Sequence, residues 1–284
     1  MCEFCHKHGE GQKWYLRAEN YSEDLLSDLR RRKFIQDFFR SPEQDRDSGG
    51  GDRWEKLERA PSFVRSVITS MGVNRQKKVH YGQVVPIEEV ERIFGFVNSV
   101  VRLPCICRQV TVGSEQRYCY GVSMVPQEES QFTRLLREID ASYLTGPNTR
   151  GLEALSKEEA LASLRELERK GLCHTVWTFV APFIGGICNC DRSDCEAMRA
   201  TVTHNFPVMF RAEYVAEVNP ELCNGCRQCM RVCQFGAIGY SIAHEKVVID
   251  PRRCYGCGIC RSLCTKNATT LAERSSVPLA RGVW

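Results

Sequence analysis

LCNGCRQCMRVCQFGAI at 222–238 and RCYGCGICRSLCTKNAT at 253–269 are two copies of one pattern. Each reads C-x2-C-x2-C-x3-C, at Cys223, Cys226, Cys229 and Cys233 and again at Cys254, Cys257, Cys260 and Cys264, and every cysteine of the first copy has a counterpart 31 residues on. The likeness continues through both stretches, as an internally duplicated, pseudo-twofold module requires. Three soft thiolates so close together form a loop that can wrap a thiophilic metal group, while the fourth opens a helix that leads away. Gly225 and Gly256 lie inside these loops, where a side chain is expected to crowd whatever the thiolates hold. A pair of structural zinc sites is the competing reading, but zinc modules favour C-x2-C pairs well separated from one another.

The repeated run resembles the bacterial-type two-cluster ferredoxins. The resemblance implies two 4Fe-4S clusters, one held by Cys223, Cys226, Cys229 and Cys264, the other by Cys254, Cys257, Cys260 and Cys233, because the fourth cysteine of each run serves the other cluster in that family. It also implies an electron carrier with a redox partner protein. Gln234 and Thr265 stand where the family has proline after the fourth cysteine. That residue is not a ligand, so the departure bears on helix geometry and potential and leaves cluster binding intact. Upstream lie LPCICR at 103–108 and GGICNCDRSDC at 185–195. With them the chain resembles, over about 80–272, a group of anaerobic iron–sulfur proteins in which a C-x-C-R segment and an I-C-N-C segment precede a two-cluster ferredoxin domain.

Composition limits the alternatives. The chain has 284 residues, enough for two domains, and 17 cysteines. Its start, MCEFCHKHGEG, is polar and lacks the apolar core of an export signal, so a disulfide framework is a poor account of the cysteines. No apolar stretch is long enough to span a bilayer. A cytoplasmic protein of an oxygen-poor cell is the expectation. The formal charge of +4 counts every cysteine as neutral. Between residues 218 and 271 seven basic side chains face three acidic ones, an excess that two clusters of about −2 each would cancel. The basic residues are therefore read as compensation, and no recognition helix or stacking motif points to nucleic acid.

The expected class is α+β, with a mainly helical N-terminal and middle region and a C-terminal ferredoxin-like domain. The predicted divisions are an N-terminal helical segment at 1–40, a charged, glycine-ended linker at 41–53, a mostly helical cysteine-containing domain at 54–205 and the two-cluster domain at 206–284. Ser22 is expected to cap a helix running to Phe39, and the Arg30 to Lys33 run to be solvated. A helix is expected across IEEVERIFGFVNSVV after Pro86, and another from Ser156, with Glu159 at the capping-box position, to Gly171.

The middle cysteines are candidate ligands. Cys105, Cys107, Cys188 and Cys190 are expected to converge as two clips, with Cys119, Cys195 and His174 as alternative or additional ligands for a third iron–sulfur cluster or a zinc ion; inert buried thiols are the plainer reading. Each C-x-C pair is expected to need a turn in the backbone for both thiols to reach one site, with Pro104 and the Gly185-Gly186 pair supplying it. At the N-terminus CEFCH satisfies a haem-attachment pattern, but a metal clip from Cys2 and Cys5 with His6 or His8, or an unstructured start, fits the context better. There is no phosphate-cradling loop, dinucleotide fingerprint or nucleophile elbow. An electron-transfer protein is the leading reading, ahead of an oxidoreductase with a catalytic metal in the middle domain or a redox sensor.

Overall fold

The computed structural model describes residues 13–47 and 52–283, so the Cys2 and Cys5 clip lies outside the described residues. The chain enters through 3-10 turns at Trp14–Leu16, Ala18–Tyr21 and Glu23–Ser27 and then forms α1 (Leu29–Asp47), α2 (Asp52–Arg59) and α3 (Ser62–Val79). The middle of the chain alternates β1 (Gly82–Val84), α4 (Ile87–Phe94), β2 (Ser99–Leu103), α5 (Ile106–Thr111), β3 (Cys119–Ser123), α6 (Gln131–Arg137) and α7 (Ser142–Thr145). It continues with β4 (Glu153–Leu155), α8 (Lys157–Arg169), β5 (Cys173–Thr178), β6 (Ile184–Cys190), α9 (Glu196–Val202) and β7 (Met209–Phe210). The last part is β8 (Tyr214–Val218), α10 (Gln228–Val232), β9 (Ile238–Ser241), β10 (Lys246–Ile249), α11 (Ile259–Ser262) and β11 (Thr269–Glu273).

A mostly helical middle region is therefore corrected. The strands β1 to β7 form one seven-stranded sheet in the order β4-β2-β3-β6-β5-β1-β7, antiparallel except where β1 meets β7. The expected helix after Pro86 stops at Phe94, and its supposed end, SVV, is the start of β2, where β-branched side chains suit a pleated surface. Alternate strand residues point to opposite faces. One face sends Val100, Tyr120, Val176 and Ile187 into a core with Val90 and Ile93 of α4 and Leu164 and Leu167 of α8. Each such apolar side chain contributes roughly 1.5–3 kcal/mol on burial. The expected box closes α8: Ser156 Oγ accepts from the Glu159 amide at 3.2 Å, and Glu159 Oε2 accepts from the Ser156 amide at 2.9 Å.

The N-terminal segment is sewn into this sheet. Ser22 caps only the 3-10 turn, and α1 starts six residues later than expected, where Asp28 Oδ1 accepts from the Arg30 amide at 2.8 Å. Its helix runs on to Asp47, into the stretch expected to be linker. Buried Glu23 accepts from Ser123 Oγ at 2.5 Å, Ser130 Oγ at 2.7 Å and the Gln131 amide at 2.5 Å, capping α6. Within the basic run, Arg31 is not solvated: its guanidinium donates to the carbonyls of Leu25, Phe179 and Val180.

The C-terminal module is two β-α-β units, β8-α10-β9 and β10-α11-β11, which exchange strands: β8 pairs with β11 and β9 with β10, both antiparallel. Positive φ recurs with the repeat, at Gly225 and Gly256, at Arg227 and Gly258, and at Gly236 and Asn267. β7 belongs to the large sheet, and β8 is the first strand of the module. It is fixed to the sheet domain by Ser262 Oγ donating to Glu168 at 2.9 Å and by Gln234, whose Nε2 donates to the Gly171 carbonyl at 2.8 Å and whose Oε1 accepts from the Arg192 amide at 2.9 Å. Gln234, the residue in place of the family's proline, is thus an inter-domain bracket. Among the described residues no helix is long and apolar enough to cross a membrane.

Candidate metal centres

The strand exchange brings thiols of the two repeats together. Cys223, Cys226 and Cys229 line a cavity with Cys264, and Cys254, Cys257 and Cys260 line another with Cys233. Each group takes three thiols from one repeat and one from the other, which are the four thiolates a cubane needs. Backbone amides aim at the sulfurs with matching geometry: Ala237 N donates to Cys233 Sγ and Ala268 N to Cys264 Sγ, both at 3.3 Å, and Ala216 and Gly256 both donate to Cys254 Sγ at 3.4 Å. At Cys264 burial opposes the thiolate, yet the amides of Ala268, Lys266 and Thr269 hold its pKa below the ordinary thiol value. The glycines also have a reason in the polypeptide itself. Gly225 and Gly256 adopt φ of +69° and +71°, and a Cβ on either would strike a backbone carbonyl, of Glu245 and of Tyr214. The β9–β10 turn at Gly225 and β8 at Gly256 therefore exclude a side chain.

The two groups differ in setting. Cys226 is exposed, and the β9–β10 turn packs on its loop, with Lys246 Nζ donating to the Cys223 carbonyl at 2.5 Å. Cys254 and Cys260 are buried, and Cys257 packs with Cys173 and Cys190 of the sheet, beside Phe235 stacked on Tyr255 at 4.0 Å. Cys173 Sγ, which donates to the His174 carbonyl at 3.7 Å, lies beside Cys257, and its nearness, opposed by burial, leaves the Cys257 pKa lowered.

Six middle cysteines gather on one face of the sheet, and a seventh, Cys173, borders them. Cys119 stands opposite Cys188 in the β3–β6 register, and Cys190 opposite Cys173 in the β6–β5 register. The expectation that a C-x-C pair needs a turn is corrected: residues two apart in a strand share a face, so Cys188 and Cys190 look the same way from a regular strand. Cys105 and Cys107, where β2 gives way to α5, come down on that face from above. The thiols stand close enough to shift one another's pKa in two sets, Cys105, Cys119 and Cys188 in one, and Cys107, Cys195 and Cys190 in the other. At Cys188 the adjoining Cys119 thiol lowers the pKa, but burial and the other thiols push it up to about 12. A thiol so raised carries its proton at neutral pH, and a metal entering here must displace it.

His174 does not join them. It pairs with Asn189 across the opposite face, its Nδ1 2.6 Å from Asn189 Oδ1. Among the described residues no three Cys, His, Asp or Glu side chains converge as ligands of a single metal ion do. The eight C-terminal thiols share that property, as they should if each iron of a cluster takes one thiolate.

Two residues that the sequence left without a role complete the site. Arg108, 1% exposed, donates to Cys105 Sγ at 3.7 Å, to the Asn189 carbonyl at 3.1 Å and to Asp191, and lies over the Tyr118 ring. Its Nε has no partner among the described residues. Burial disfavours its charge, but the thiols and Asp191 outweigh that and hold its pKa above the ordinary value. A buried cation with one carboxylate and an unfilled donor matches a centre carrying further negative charge. Cys173, the second residue, connects this face to the C-terminal module. The signal for Arg108 was present, as the R of C-x-C-R; nothing in sequence marked Cys173 as a contact.

No curated protein and no solved structure matches the chain. Residues 222–268 match the family model of the 4Fe-4S dicluster domain, which assigns 4Fe-4S binding and an iron–sulfur electron-transfer role to that segment.

Proposed function

We propose that the protein moves electrons one at a time between a partner redox protein, met at the outer end of the C-terminal module, and a thiolate-held metal centre on its own sheet. Cys223, Cys226, Cys229 and Cys264 would hold one 4Fe-4S cluster, and Cys233, Cys254, Cys257 and Cys260 a second. Such a cluster supplies one-electron chemistry at a potential set by its surroundings.

The chain's residues give this a direction. Leu222, next to Cys223, and Ile242, in the turn that packs on the first group's loop, are exposed, a surface suited to a transient partner. The buried second group abuts the sheet, and the observation that carries the reading is the packing of Cys257 against Cys173, itself opposite Cys190. Arg108 compensates the charge of the six-thiol face and, with Asp191, fixes the loop bearing Cys105. Among the described residues these thiols do not converge on one point as the ligands of a single zinc ion do, which favours a third iron–sulfur cluster there. A reduced, cytoplasmic setting suits so many free thiols.

The test is a ligand dissection of the full chain, isolated without oxygen. Cys233→Ala should damage the paramagnetic signal of the group containing Cys254 and spare its sequence neighbour. Cys107→Ser with Cys188→Ser should remove iron from the sheet while both C-terminal signals remain. Loss confined to the Cys223 group in the first variant, or unchanged iron in the second, refutes the proposal.

A further inference from the structure

Above the cysteine face lies a chamber of about 620 Å³, roofed by α2 and α3. We propose that it binds an uncharged, largely aromatic organic molecule and holds it against Cys107, Cys119 and Cys188. Its consequence for redox chemistry rests on the reading above, whereas the binding does not.

The floor is built to be open. Gly121 stands opposite Gly186 in the β3–β6 register; Val101, 2.9 Å from where a Cβ on Gly121 would lie, fills the first position, while Gly186 leaves the second open. Neither glycine has a positive φ, so backbone conformation does not demand them. At Gly186 a Cβ would meet only ordinary contacts, 3.7 Å from the Phe179 ring and 3.8 Å from the Tyr120 carbonyl. Space, then, is what this glycine supplies. Cys107, Cys119 and Cys188 line the chamber and retain accessible surface, while Cys105, Cys190 and Cys195 are buried behind them.

The walls choose the ligand. Phe38, His80, Trp177 and Phe179 form one continuous aromatic group, with His80 4.3 Å from Phe38 and 4.9 Å from Trp177 between ring centroids. Burial lowers the His80 pKa to about 4, so that wall is neutral at physiological pH. Glu196, the acidic group of the lining, accepts from Trp54 Nε1 at 2.7 Å, and Lys56, the basic one, is exposed to solvent. A charged ligand would lose its hydration here and find little to replace it, whereas flat apolar rings find stacking partners on several sides. The volume falls in the range of small-molecule sites. The roof allows entry: no residue of α3 is buried, and Phe63 and Met71 are largely exposed, so the cover is weakly anchored.

Equilibrium dialysis of the metal-loaded full chain tests this with two probes on one ring skeleton, neutral N-phenyl-1-naphthylamine and its anionic counterpart 8-anilinonaphthalene-1-sulfonate. The neutral probe should bind once per chain, with the anion at least about tenfold weaker. Gly186→Leu from the floor and Ala60→Trp from the roof should each weaken the neutral probe about tenfold or more, while Phe63→Ser with Met71→Ser on the outer face of α3 should not. Absent or unsaturable binding, equal binding of the anion, or binding lost only in the α3 variant overturns the proposal. Iron measured on the same samples separates the two readings: a probe bound to protein without sheet iron refutes the metal centre alone, and full iron without binding refutes the chamber alone.

Discussion

Acidification should weaken the fold through His80, and the size of the effect follows from its surroundings. The ring is packed among Phe34, Phe38, Trp177 and Phe179, with Nδ1 2.5 Å from the Thr178 carbonyl. Burial lowers its pKa to about 4, only partly offset by that carbonyl, against about 6.5 in the unfolded chain. Between these values the unfolded chain binds the proton that the folded one refuses, so stability falls as pH falls. The His80 contribution is intact above about pH 6.5, is reduced on the order of 1 kcal/mol at pH 5.5 and is lost by about pH 4, where the deficit approaches roughly 3 kcal/mol. Thermal unfolding of the metal-loaded protein at pH 8 and pH 5.5, compared with His80→Gln, isolates the effect. The wild type should lose more than the variant, by about 2–4 °C. Equal losses in the two proteins would show that His80 is not held neutral, and the aromatic wall would no longer count as uncharged.

Two further substitutions probe the thiol sites. Gly256→Ala forces an L-residue to positive φ, costing about 1–2 kcal/mol, and drives its Cβ into the Tyr214 carbonyl. Iron should be lost from the Cys254 group, whereas Gly239→Ala, whose Cβ would meet the Val248 side chain at 3.6 Å, should retain it. Arg108→Met leaves thiols and Asp191 without their cation, so sheet-bound metal should fall sharply while C-terminal signals persist; Arg108→Lys should recover part of it.

The C-terminal repeat was legible because its function dictates spacing: thiols at fixed offsets, glycine where the returning strand passes, the same pattern 31 residues later. The sheet was hidden for a related reason. β3 and β6 carry Gly121, Gly185 and Gly186 among their cysteines, and glycine in a short run signals a turn, yet here Gly186 opens the floor of a chamber while Gly121 and Gly185 make room for Val101 and Phe132. The C-x-C spacing indicated a site but not its geometry, which depends on cross-strand register between segments some 70 residues apart. Ser22 looked like the start of α1 because Glu23 and Asp24 follow it, but Glu23 is drawn away to cap α6, a long-range contact that no local pattern records. Arg108 carried a signal only as a letter in a motif; its meaning came from burial beside six sulfurs.

The central claim is that iron resides both in the C-terminal module and on the sheet. Iron and acid-labile sulfide counted per chain, on full-length protein isolated without oxygen, test it most directly. Two cubanes account for about eight irons and eight sulfides. The account predicts a total clearly above that, falling back to about eight when Cys107 and Cys188 are both replaced by serine. A count of about eight in the unaltered protein, unchanged by the double substitution, would contradict it.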